Sequence, residues 1–332
     1  MDETARSAAH HRRTVLTAGL GAAAALGLSA GAAHAAPASR PQRTARILGR
    51  EVDVTHATPE VVRLFASYFE AKTARDVDAT MAHFARDMTY IDATLGWAWY
   101  SWQSLYDLFA KLMPTWPATS ASYPTRILGD ANSALVCFTD TPELFGHEIR
   151  PLGAVNFRNG KITRWIDYWD GRAFTVAGIE QERTPADQFP TDFKEAAVGE
   201  TAAPAMRSTV QKLSHAFGAG DAAQAASLFH PDAVFEDQAL HVSITGRISL
   251  EAFLTSALGL LPYGRGATVR HAVGSRIGGG YEWVNASSAA PRGITALALD
   301  ASGLITRLTT VWDSSLWSVD AISRAQAASI LR

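Results

Sequence analysis

The sequence predicts an α+β protein in which one unit is written twice. Three observations carry that reading. Residues recur in order at a near-constant spacing, each copy opens on helical stretches, and each closes on β-rich runs separated by turn signals. Phe84 and Phe229 lie 145 residues apart, as do Asp92 and Asp237, and Ser104-Leu105 recurs as Ser249-Leu250 at the same spacing. Gly160-x-Ile162-Thr163-Arg164 returns as Gly303-x-Ile305-Thr306-Arg307, and Trp169-Asp170 as Trp312-Asp313, both 143 residues on. So long a period is a domain duplication rather than a solenoid. A chain of 332 residues has room for two domains at roughly 100–200 residues each.

Before the first copy comes an address label. Arg12-Arg13 precede Thr14-Val15-Leu16, an apolar Ala/Gly-rich run covers 18–33, and Ala33-His34-Ala35 supplies small residues for a cut before Ala36. That order is a secretory signal over 1–35, and the paired arginines point to the twin-arginine route. The other reading is a membrane anchor, but the run is short and weakly apolar against the ~20 strongly apolar residues a span needs. The expected location is therefore outside the cytoplasm, secreted. With 25 Arg, 5 Lys and abundant Ala, the composition suits a high-GC, actinobacterial source.

Residues 36–57 read as a polar linker, 58–180 as the first domain, 181–204 with three prolines as a second linker, and 205–332 as the second domain. The first helix of each domain shows apolar residues at helical spacing: Val61, Phe65, Tyr68 and Phe69, then Met206, Val210, Leu213 and Phe217. A second helix starts near Asp76 and Asp221, because an aspartate accepts the orphan amides of a first turn. It is expected to end at Phe84 and Phe229, with a short strand then carrying Asp92 or Asp237. The third helix spans 101–113 and 250–261, stopped by Pro114 and Pro262. β-rich runs follow at 126–140, 152–158 and 162–169, with counterparts ending at Trp312. Asn159-Gly160 between Phe157 and Ile162 predicts a tight hairpin.

Composition removes several function classes. The formal charge is −2, with 47% hydrophobic and 19% charged residues, so neither a basic nucleic-acid face nor an acidic tail is indicated. One cysteine, Cys137, excludes an internal disulfide and a cysteine zinc site. No Gly-rich phosphate loop or His cluster stands out, so no cofactor and no metal is expected.

Helix–helix–strand–helix followed by long strands resembles the nuclear-transport-factor-2-like (NTF2-like), or SnoaL-like, fold over 58–180 and 205–325. The resemblance implies a cystatin-like α+β cone, a curved sheet around a helix with an apolar pocket. It also implies an intrachain pseudo-dimer, with room for a further homodimer. Such cones serve ketosteroid isomerases, polyketide cyclases, epoxide hydrolases and non-catalytic binding modules, so the site must decide. In copy one, residues 84–92 resemble the segment of limonene-1,2-epoxide hydrolases that holds the attacking water, with Tyr90 and Asp92 at its two polar positions. Residues 160–170 resemble that family's final strand, which puts Asp167 where the resemblance implies the acid. Phe138-Thr139-Asp140 matches its Arg-x-Asp, which makes Asp140 the base, but Phe138 replaces the bridging arginine.

The residues support this pair independently. Asp140 and Asp167 are expected on neighbouring strands facing one pocket, with Asp167 on the face of Trp165 and Trp169. Two carboxyls in an apolar pocket do not both ionise cheaply, which gives an acid beside a base. Trp97, Trp99, Tyr100 and Trp102 suit a pocket rim, Phe138, Trp165 and Trp169 a substrate-binding wall, and His147, in an insertion at 143–148, a lid. Asp170 and Asp313 read as strand-end caps. Copy two keeps Asp237, with Glu282 nearby, but has Phe235, Asn285 and Thr310 where copy one has Tyr90, Asp140 and Asp167. It is expected to be mainly structural. The leading expectation is an exported enzyme acting on a small lipophilic, polyketide- or terpenoid-like molecule by epoxide opening, cyclisation or (de)hydration. The alternative is a secreted protein that binds such a molecule without turnover.

Overall fold

The computed structural model describes residues 43–174 and 176–330; the export signal expected over 1–35 lies outside the described residues. The first copy runs β1 (Thr44–Ile47), β2 (Arg50–Ala57), α1 (Pro59–Thr73), α2 (Val77–Met81), β3 (Phe84–Asp92), β4 (Trp97–Trp99), α3 (Trp102–Leu112), β5 (Ser122–Gly129), β6 (Ser133–Asp140), α4 (Pro142–Phe145), β7 (Leu152–Arg158) and β8 (Lys161–Tyr168). Two short helices, α5 (Val176–Glu182) and α6 (Glu195–Val198), lie in the connection. The second copy runs α7 (Pro204–Ala219), α8 (Ala222–Ser227), β9 (Phe229–Asp237), β10 (Val242–Thr245), α9 (Arg247–Ala257), β11 (Thr268–Gly274), β12 (Gly278–Val284), β13 (Arg292–Leu299), β14 (Ile305–Trp312) and α10 (Val319–Ala327).

Each copy is an α+β cone. The strand orders are β1-β2-β5-β6-β7-β8-β3-β4 and β10-β9-β14-β13-β12-β11, so the shared part of the two sheets has one topology. The repeat extends to backbone geometry. Gly129 and Gly274, 145 residues apart, take φ of +123° and +117°, and a Cβ on either would meet backbone of the next strand at 2.5 and 2.4 Å. Both expected helix caps are present: Asp76 accepts from the Ala79 amide and Asp221 from the Gln224 amide. The hairpin at Asn159-Gly160 has φ of +53° and +72°, the sign a two-residue turn between twisted strands requires.

Several boundaries differ from expectation. Residues 44–57 are not linker but a β-hairpin on the sheet edge, turned at Leu48-Gly49, with Val52 and Val54 inward and buried. Phe84 and Phe229 do not end helices. They open nine-residue strands that pair in parallel with β8 and β14. The run 126–140 is two strands joined by a turn at Asp130. Within the connection 181–204, Phe193 is fully buried in the seam between the copies.

Strand alternation assigns the two faces of each sheet different work. In copy one, Phe65, Tyr68, Phe69, Leu105 and Phe109 of the helices pack with Val136, Val155 and Trp165 on the concave face. On the other face, Leu135, Cys137, Ala154 and Ile166 pack against Val273, Ile294, Ala296 and Val311 of copy two. The copies thus sit sheet against sheet as an intrachain pseudo-dimer. The caps after the last strands also reach across: besides the Arg172 and Ser315 amides of their own turns, Asp170 accepts from the Ser314 amide and hydroxyl, and Asp313 from the Gly171 amide.

Candidate active site

β8 is central to the copy-one site because it sits between β7 and β3. Asp167 is in register with Asp92 on β3 and Gly153 on β7, and Trp165 with Tyr90. Matched residues on parallel neighbours share a face, so Tyr90, Asp92, Trp165 and Asp167 all point into the cone. Tyr90 Oη donates to Asp167 Oδ2 at 2.6 Å, and Trp165 Nε1 to Asp167 Oδ1 at 2.5 Å. Gly153 makes room for that cluster: a Cβ there would stand 2.8 Å from Trp165 Nε1 and 2.9 Å from Asp167 Oδ1. Any side chain at 153 would push aside the indole or the carboxyl.

These groups open onto a cavity of about 380 Å³ that is lined by Tyr90, Asp92, Asp140 and Asp167 together. Trp97, Trp99 and Trp169 form part of its wall, and α3 contributes Leu108, Phe109 and Leu112. Burial pushes the Asp167 carboxyl up from 3.8 to about 7, against the hydrogen bonds from Tyr90 and Trp165 and the charge of Lys72. Such a group still carries its proton near neutral pH, as a general acid must. Burial also lifts Asp92 to about 6. Its oxygens are engaged, however: Oδ1 accepts the Thr94 and Leu95 amides, and Oδ2 accepts Trp169 Nε1 at 2.9 Å. Asp92 therefore fixes the β3–β4 turn while walling the cavity.

The replacement of the expected arginine by Phe138 does not leave the site without a cation. Lys72 of α1 reaches the cavity wall, with a side chain only 6% exposed, and its Nζ lies 3.4 Å from Asp140 Oδ1. The same ammonium sits 5.4 Å from the centre of the Phe138 ring. The charge comes from helix α1 rather than from the strand position that Phe138 occupies. Lys72 continues the stripe Phe65, Tyr68, Phe69, since 65 and 72 are seven apart. A lysine on an otherwise apolar helix face was its sequence signal.

Other expectations change. Asp140 and Asp167 face the same cavity but are not on neighbouring strands. β7 runs between β6 and β8, and the bare backbone of Gly153 leaves the space between them open. Tyr100 is 46% exposed and donates to the Asp192 carbonyl, so it faces the connection rather than the cavity. Trp102 opens α3, donates to the Met81 carbonyl and stacks on Tyr106 outside the wall. Phe138 lies in the core against Phe69, and Trp165, buried against Tyr68, serves the site through its hydrogen bond to Asp167 rather than as cavity wall. His147 is at the rim, its ring 4.7 Å from Phe174, which lines the cavity. Ile179, missed in the sequence, closes the same side from α5.

Copy two lacks this arrangement. Asp237 accepts the Ala239 and Leu240 amides on Oδ1 and Trp312 Nε1 on Oδ2, matching Asp92, and Tyr263 also donates to that Oδ2 at 2.9 Å. Thr310, at the Asp167 position, bonds within the sheet to Thr295 and the Ile294 carbonyl. Glu282 is no part of a copy-two site. It points into the seam, where it takes both arms of Arg164 at 2.6 and 2.9 Å and the Tyr168 hydroxyl at 2.9 Å. Both charged side chains are fully buried. Glu282 follows Tyr281 on β12, and alternation turns it to the face opposite the cone. Among the described residues no cluster of His, Cys, Asp and Glu is suited to a metal ion.

Fold and site together describe two tandem α+β cones packed sheet against sheet, the first of which holds an apolar cavity lined by carboxyls. No protein-family model matches the chain, and no curated protein does. Solved structures do. One is an LEH-like epoxide hydrolase from M. tuberculosis, 20% identical over 38% of this chain and 92% of that one, TM-score 0.30. A second is a putative SnoaL-like polyketide cyclase from Shewanella putrefaciens, 14% identical over 36% and 84%, TM-score 0.32. A third is a putative ketosteroid isomerase from Kribbella flavida, 21% identical over 40% and 96%, TM-score 0.29.

Proposed function

We propose that the first copy is an acid–base active site for a small lipophilic molecule of polyketide or terpenoid type, and that epoxide opening suits it best. The observation that carries this reading is the Asp167 carboxyl. It is buried, held from two sides by Tyr90 and Trp165, raised to about 7, and faces a cavity that Asp140 also lines. Asp167 gives its proton to the epoxide oxygen as the C–O bond breaks. Water attacks the carbon, and Asp140 takes the proton the water loses. The product is a diol, with Asp167 ionised and Asp140 protonated, and proton exchange with solvent restores both. Tyr90 and Trp165 stabilise the ionised Asp167, and Lys72 offsets the charge that two carboxylates would otherwise share. Dehydration and cyclisation need the same acid and base in other order. The twin-arginine segment adds that this chemistry takes place outside the cytoplasm.

The test is turnover of a panel of terpenoid and polyketide-like epoxides by wild type, Asp167→Asn and Asp140→Asn. Losing a general acid or base lowers turnover by about 10²–10⁴-fold. Unchanged turnover in Asp167→Asn sinks the role given to it. One observation favours a second reading: Asp140 is already engaged by Lys72, whose ammonium lies 3.4 Å from Oδ1. A carrier that binds without turnover would show an unmodified lipophilic molecule by mass spectrometry of extracted protein, and no product over time.

A further inference from the structure

A second cavity, of about 190 Å³, lies in the seam between the copies, walled by β3–β4, the connection, the β12–β13 loop and the end of β14. Almost every polar side chain on its wall is already engaged. Thr94 donates to the Trp169 carbonyl, Thr184 to the Gly96 carbonyl and Tyr168 to Glu282. Arg183 is paired with Asp313 at 2.5 Å. Arg292 is the exception. Its guanidinium lies flat over the Phe189 ring, 3.8 Å from the centroid, with no hydrogen-bond or ion-pair partner among the described residues. The rest of the wall is apolar, with Pro291, Trp312 and Leu316 among it.

A guanidinium stacked on an aromatic ring is fixed in orientation and keeps its N–H edge free for a planar anion. Since Asp313 neutralises Arg183, the cavity carries one uncompensated positive charge. The small volume and apolar wall leave space for a compact hydrocarbon body beside the charged head. We infer that this seam cavity is a binding site for a small organic carboxylate, whose carboxylate forks onto Arg292 and whose apolar body rests on Trp312 and Pro291. The site is separate from the Asp167 cavity. Arg183 and Thr184 follow directly on α5, so its occupant rests on the segment that closes that cavity.

Calorimetric titration of the full chain with benzoate, and with benzamide as its uncharged counterpart, tests this. The expected result is one benzoate per chain and at least tenfold weaker benzamide binding. Arg292→Gln lowers benzoate affinity at least tenfold with its circular dichroism unchanged. Ala289→Trp, which narrows the exposed mouth without touching the charge, lowers it as well, and alone decides the matter if Arg292→Gln fails to fold. Trp99→Ala, in the first cavity, leaves benzoate binding as it was. The proposal is overturned by no benzoate binding, by equal binding of benzamide, by wild-type affinity in Ala289→Trp, or by binding that is lost in Trp99→Ala instead.

Discussion

Asp167→Asn should make the protein more stable in mildly alkaline solution while it removes activity. The carboxyl is 4% exposed, and burial raises it from 3.8 to about 7. Below pH 4 it is protonated folded and unfolded, and burial carries no ionisation penalty. Between pH 4 and 7 the unfolded chain ionises while the folded protein keeps its proton, so wild-type stability falls as pH rises. At ~1.36 kcal/mol per pH unit the loss reaches ~4 kcal/mol by pH 8. Asparagine does not titrate. Its oxygen can accept from Trp165 Nε1, and its amide can donate to Tyr90 Oη once that hydroxyl turns, so both hydrogen bonds survive. Thermal melts of both proteins from pH 4 to 8 provide the assay. The variant's advantage should grow with pH, to on the order of 10 °C at pH 8. A melting difference that does not change with pH would refute the reasoning, because it would mean Asp167 ionises in the folded state as freely as in the unfolded chain.

Three further outcomes follow from the hydrogen-bond geometry. Tyr90→Phe removes a donor that holds the Asp167 value down. The alkaline limb of the turnover–pH profile should therefore move to higher pH, and a shift to lower pH contradicts the assignment. Glu282→Ala leaves Arg164 buried and unpaired, which should cost about 3–5 kcal/mol of stability, and Arg164→Met with Glu282→Leu should recover most of it. Calorimetric melting of the single and double variants checks this. Asp237→Asn should leave turnover per folded molecule within about twofold, since copy two has no acid–base pair, and a hundredfold drop would place chemistry there.

Much of this architecture was legible in the sequence because it is local. The Asp76 and Asp221 caps and the Asn159-Gly160 turn each depend on a few neighbouring residues, the repeat is the recurrence of such local patterns, and the structure has all three. Asp92, Asp140 and Asp167 stood out through the family resemblance, and alternation put Asp167 on the face of Trp165 and Trp169, but only the fold brings all three to one cavity. What was not legible depends on partners far along the chain. Lys72 meets Asp140 across 68 residues, and Glu282 meets Arg164 across 118. A mid-strand glutamate has two faces to choose from, and nothing near Glu282 says that one is a seam. Gly153 reads as an ordinary strand glycine until the residue opposite it is known to be Asp167. The hairpin at 44–57 has its signal in the alternation of Val52 and Val54, but the charged residues around them, Arg50, Glu51 and Asp53, give it the look of a linker.

The ion pairs in the seam have a consequence for how the chain could have arisen. Arg164 pairs with Glu282, but the residue 145 before Glu282 is Cys137, so the mirrored pair does not exist. Across the pseudo-axis, Arg126 instead faces Glu236, whose counterpart in copy one is Ile91. In a dimer of identical subunits every substitution appears twice, so a charge buried at the seam would need its partner built on both sides at once. Joining two copies in one gene lifts that symmetry. Each half can then change alone, and the halves become specific to one another in the way a lock differs from its key.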